Sequence, residues 1–154
     1  MQVTDSSAPA RGDSLSPVVE ADERFLAAFE NCELPEDQWT HLAHIRVAWV
    51  CLSLASPAEA LMRIREGILR YNTEVLKRRH KYHETVTVAY TGIVADRMLP
   101  GELWSDFRER IGDLLDTGNP VLLRYYSKNR LFSDEARAAF VKADLRQLPL
   151  LADR

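Results

Sequence analysis

Between Ser56 and Leu76 the chain spells out a helix with a marked start. Ser56 is a capping residue, Pro57 stands where the first turn needs no N–H, and Glu59 places an acid three residues after the cap. Behind this start, Leu61, Ile64, Ile68, Tyr71, Val75 and Leu76 recur at the spacing of one buried helical face. A helix over about 57–77 with a single apolar stripe has to pack against other helices or a sheet. No segment sustains an alternation of apolar and polar residues, so the expected partners are helices.

The same reading places six more. The first runs over 17–31, with Ser16 as cap, Pro17 in the first turn and Val18, Phe25, Leu26 and Phe29 inward. The second covers 38–54, with His41, Ile45, Ala48 and Leu52 inward and His44 and Cys51 beside them. A fourth helix over 83–98 turns Val86, Tyr90, Ile93, Val94 and Met98 inward. Thr87 and Val88 add β-branching there and admit a strand over 85–90, but the pattern is too long for one. Helices are also expected over 102–115, around Trp104, Phe107, Ile111, Leu114 and Leu115, and, shorter, over 120–126. Ser133 caps a last one over 134–143. Leu148-Pro149-Leu150-Leu151 is placed as a strap across the bundle. The expectation is an all-α, single-domain bundle of about six or seven helices over 17–154, preceded by a disordered tail over 1–16, rich in Ser, Ala, Asp and Pro.

Composition closes off several classes. At 154 residues and 46% hydrophobic, the chain is one domain able to bury a core without staples. A formal net charge of −3 disfavours a general nucleic-acid binder. Cys32 and Cys51 form no CxxC pair and no disulfide framework. There is no run of about 18 apolar residues for a membrane span and no basic-then-apolar leader, so a cytoplasmic, bacterial-type protein is expected.

Three of the four histidines fall in two short motifs, Trp39-Thr40-His41-Leu42-Ala43-His44 and Tyr82-His83-Glu84-Thr85-Val86-Thr87. His41 and His44 share one helical face. With His83 from a second helix they make a candidate cage for a divalent metal, zinc or iron, with Glu84 as general base on a metal-bound water or as a partner orienting a ligand. In the inverse version Glu84 replaces His83, and two histidines with one carboxylate suit Fe(II). Such a centre fits a hydrolase or lyase acting on a small polar or anionic metabolite. Arg46, Tyr71, Asn72, Thr87 and Tyr90 are placed as substrate-binding residues, and the basic run Lys77–Lys81 as an attractor of anions. The competing expectation is a non-enzymatic module in which the histidines and Glu84 form a buried polar network around a ligand or partner pocket. A purely structural helical homodimer, its interface including the aromatic C-terminal part, is a third. Nucleophilic catalysis finds no support, since there is no Gly-x-Ser-x-Gly elbow and no Gly-rich phosphate loop.

On the same two motifs, together with Tyr71-Asn72, the middle half of the chain resembles a family of small bacterial helical proteins. The resemblance implies no activity, cofactor or catalytic residue.

Overall fold

Seven α-helices build the described part of the chain, residues 16–149 and 151 of a computed structural model. They are α1 (Glu20–Glu30), α2 (His41–Leu54), α3 (Pro57–Glu74), α4 (Glu84–Arg97), α5 (Trp104–Arg110), α6 (Lys128–Leu131) and α7 (Asp134–Ala138). Short 3-10 turns over Glu36–Gln38, Arg79–Lys81, Gly112–Leu115 and Val121–Arg124 join them, and there is no strand among the described residues. The all-α bundle expected from the apolar periodicity is therefore the fold. All but Ser16 of the expected tail lies outside the described residues.

α2, α3 and α4 pack against one another pairwise, α1 lies across α2 and α3, and α7 lies against α4. α2 is no simple amphipathic helix: Val47, Ala48, Trp49, Val50 and Cys51 are all buried in succession. A helix covered on every side is a central pillar. α4 repeats this in its later half, where Thr91, Gly92, Ile93 and Val94 are buried one after another. Trp49 meets Trp104 and Phe107 at centroid distances of 5.7 and 6.5 Å, which ties α5 to the pillar.

Two helix starts follow the sequence signals. Ser56 Oγ accepts from the Glu59 N–H while the Glu59 carboxylate accepts from the Ser56 N–H, and Ser133 Oγ accepts from the Ala136 N–H. Other boundaries differ, each for a physical reason. α1 begins at Glu20, not Pro17, because Asp22 takes the Val19 N–H at 3.1 Å. α2 begins at His41, not Gln38, because Thr40 Oγ1 accepts from the Ala43 N–H. α3 stops at Glu74, short of 77, where Lys77 turns to a left-handed φ of 54°. The helix expected over 102–115 ends at Arg110, ahead of Gly112, and tightens into a 3-10 turn. The one expected over 120–126 is the 3-10 turn Val121–Arg124, and α6, capped by Ser127, has no counterpart among the expected helices. α7 ends at Ala138, not 143, because Thr85 Oγ1 donates to the Ala139 carbonyl and accepts from the Val141 N–H.

The terminal strap crosses α4 at Gly92. A Cβ there would sit 2.5 Å from the Pro149 carbonyl oxygen, so only glycine permits the approach. Leu148 is buried beside it.

Candidate functional site

Where α2, α3 and α4 meet they leave a cavity of about 290 Å³, lined by His41, His44, Ile45, Ala48, Ile64, Ile68, Val86, Thr87, Tyr90 and Thr91. Its walls are the inward stripes of three helices that fail to close completely. Five of the ten lining side chains are aliphatic; the polar ones come from the first two turns of α2 and from α4. A larger hollow of about 410 Å³, near Pro17, Ser53, Asp96 and Leu99, holds no histidine.

Both histidines of α2 are held by carbonyl groups. His41 Nε2 lies 2.6 Å from the Leu114 oxygen, and His44 Nδ1 lies 2.7 Å from the Thr40 oxygen. A carbonyl only accepts, so each of these nitrogens carries the proton. The opposite nitrogens, His41 Nδ1 and His44 Nε2, have no hydrogen-bond partner among the described residues. No buried side-chain nitrogen or oxygen among the described residues lacks a partner, so these two remain accessible, on rings that line the cavity. His44 is also stacked on Trp39 at 3.7 Å. Burial pushes its pKa down to about 4, against the raising effect of the Thr40 carbonyl and with a smaller lowering by His41, so the ring is neutral at pH 7. Tyr90 stands edge-on to His41 at 5.2 Å, and its hydroxyl makes no bond within the described residues.

His83 is not part of this group. It is the N-cap of α4: its Nδ1 accepts from the Val86 N–H at 3.1 Å, and its Nε2 donates to the Leu131 carbonyl at 2.7 Å. Both ring nitrogens are occupied, which leaves none for a metal. Burial, countered by the Leu131 hydrogen bond and reinforced by the charge of Arg137, lowers its pKa. Glu84 does not line the cavity either. It forms a two-pronged ion pair with Arg65 and accepts the Tyr82 hydroxyl. Burial works to raise its pKa, but the bonds from Arg65 and Tyr82 prevail and hold it below the usual carboxylate range, the wrong direction for a general base near neutrality. No group of three or more His, Cys, Asp or Glu side chains suited to a metal gathers among the described residues.

The expected substrate-binding residues divide. Thr87 and Tyr90 line the cavity. Arg46 does not: its guanidinium pairs with buried Asp22 at 2.7 Å and lies 4.5 Å over the Phe25 ring, fastening α2 to α1. Tyr71 is a core residue whose hydroxyl donates to the Leu34 carbonyl at 2.8 Å, and Asn72 is buried on α3 outside the cavity lining. From the basic run, Lys77, Arg79 and His80 border a separate open groove with Arg137, not the histidine cavity. Thr91, Ile64 and Ile68 belong to the lining without any functional signal in the sequence. Ile64 and Ile68 stand in the apolar stripe of α3; Arg65, which neutralises Glu84 from 19 residues away, gives no local signal.

The arrangement is a cavity with aliphatic walls and two lining imidazoles, each fixed through one nitrogen. No family model, curated protein or solved structure matches the chain.

Proposed function

We propose that this protein is a small-molecule-binding helical module whose ligand occupies the cavity between α2, α3 and α4, with His41 and His44 as its polar contacts. The observation that carries this reading is the pair of imidazoles, each anchored through one nitrogen and open at the other, on rings that line an otherwise largely aliphatic cavity. Ligand pockets have this composition: apolar walls and a few fixed polar groups. A cavity of about 290 Å³ is at the small end for such sites. A purely structural polar network would have used both nitrogens of each ring, as His83 does.

A divalent-metal enzyme is the second reading. Ligating histidines are commonly oriented by a bond from the other nitrogen to a carbonyl, and His41 and His44 share that feature. Two imidazoles fall short of the three or four protein ligands of zinc sites, so this reading ranks behind the first.

The test is a screen of fragments of about 8–14 heavy atoms by chemical-shift mapping, on the wild type and on Ala48→Met, which puts a longer side chain into the cavity. Hits that shift His44, Thr87 and Tyr90 and vanish in Ala48→Met support the reading. Hits that map elsewhere, or bind the variant equally well, overturn it. Zinc or Fe(II) added to metal-free protein tests the second reading: tight stoichiometric binding lost in His44→Gln would promote it.

A further inference from the structure

The binding reading leaves the ligand's chemistry open, and the hydrogen-bonding groups of the cavity narrow it. We infer that the ligand is uncharged, about the size of a fused bicyclic ring, and presents a hydrogen-bond donor to the imidazoles. This rests on the cavity being a binding site.

The polar lining consists of His41, His44, Thr87, Tyr90 and Thr91. His41 and His44 each commit one N–H to a carbonyl oxygen, so each ring in its neutral form has only a lone pair left on its other nitrogen. Reversing either tautomer would aim a lone pair at a carbonyl and lose a bond of 2.6 or 2.7 Å. The threonines are similarly committed. Thr87 Oγ1 donates to the His83 carbonyl at 3.0 Å, and Thr91 Oγ1 donates to the Thr87 carbonyl at 2.7 Å. His44, Thr87 and Thr91, and His41 in its neutral form, therefore have lone pairs but no proton to offer, and among the lining residues the Tyr90 hydroxyl is free to donate. A ligand without a donor leaves acceptors desolvated and unpaired, which costs more than a made bond returns.

Charge is excluded on both sides. Among the described residues, no Lys or Arg lines the cavity to balance a carboxylate, and no Asp or Glu lines it to balance an ammonium. Arg65, beside the lining residue Ile64 on α3, and Glu84, two residues before the lining residue Val86 on α4, neutralise each other. The low pKa of His44 keeps that ring from supplying a cation near neutral pH. Size follows from volume: an apolar cavity of roughly 150 Å³ takes a benzene ring, and this one measures about 290 Å³.

Indole and benzofuran make a matched test, having nearly the same shape, with an N–H donor in one and a weak oxygen acceptor in the other. A cavity without acceptors would prefer benzofuran, the more apolar of the two. Titrations followed by calorimetry and by the resonances of His44, Thr87 and Tyr90 should show indole binding about tenfold more tightly, with indole-3-carboxylate at least tenfold weaker than indole. In His44→Leu the indole-to-benzofuran ratio should fall toward one. If both probes bind the wild type equally, or benzofuran binds better, the donor requirement is overturned while the cavity stands. If the carboxylate binds as well as indole, the exclusion of charge is overturned. If neither neutral probe reaches the cavity at millimolar concentration, both this inference and the binding reading fall. The comparison of probes on the wild type needs no variant, so it decides the matter even where His44→Leu does not fold.

Discussion

Acidification should destabilise this fold through one ring. His44 has a pKa of about 4 in the folded protein against 6.5 when unperturbed, because the charged form is disfavoured inside the cavity wall. The unfolded chain therefore binds a proton at a pH where the folded chain does not. The associated stability is fully present above about pH 6.5 and is lost as pH falls toward 4. Between about pH 7.5 and 4.5, linkage gives a loss of about 2.5 kcal/mol for this ring alone. Water entering the cavity and solvating Nε2 weakens the effect, so roughly 1.5–2.5 kcal/mol is expected. The assay is urea unfolding followed by tryptophan fluorescence at about pH 4.5, 5.5, 6.5 and 7.5, on the wild type and on His44→Gln. The variant loses the stacking on Trp39 at every pH, which shifts its curve by a constant. The gap between the two proteins should narrow by the stated amount on acidification. A gap that stays constant to within about 0.5 kcal/mol would refute the claim that the ring is held neutral. His83 also has a lowered pKa and adds a slope of the same sign, but one common to both proteins.

Three further outcomes are expected. His83→Ala should cost about 1–2 kcal/mol by removing the α4 cap and the tether to the Leu131 carbonyl, while His83→Asn recovers part of that and neither changes fragment binding; thermal melts and the chemical-shift screen check both halves. Gly92→Ala should destabilise the full chain by about 1–3 kcal/mol, because its Cβ meets the Pro149 carbonyl, yet be neutral or slightly stabilising in a chain cut before Leu148, as paired denaturation curves would reveal. Of the two thiols, Cys51 is fully buried and pushed up to about 12 by that burial, whereas Cys32 is half-exposed, so a thiol reagent at about pH 8 should label Cys32 quickly and Cys51 only on unfolding.

Local chemistry is what the sequence shows best. The Ser56-Pro57-Glu59 start and the Ser133 cap work within a few residues, and both stand in the structure. The three-residue interval between His41 and His44 does bring both rings to one cavity, because a helix converts spacing into a shared face. His83 escapes such reasoning for the opposite cause. Its cap bond is local, but the carbonyl that engages its second nitrogen belongs to Leu131, 48 residues on. Arg46 and Glu84 resemble free site residues until Asp22 and Arg65 are found opposite them. The end of α7 is equally non-local: Ser133 announces where that helix begins, whereas Thr85 decides where it stops.

The N-terminal turn of α4 and its crossing at Gly92 rest on backbone groups of Leu131, Ala139, Val141 and Pro149. All four anchors come after α4 in the chain. α2 and α3 supply two walls of the cavity, and α4, the third, is seated against them with the help of these later segments. A substitution at one of those anchors would therefore reach the cavity through the seating of α4 without touching the lining.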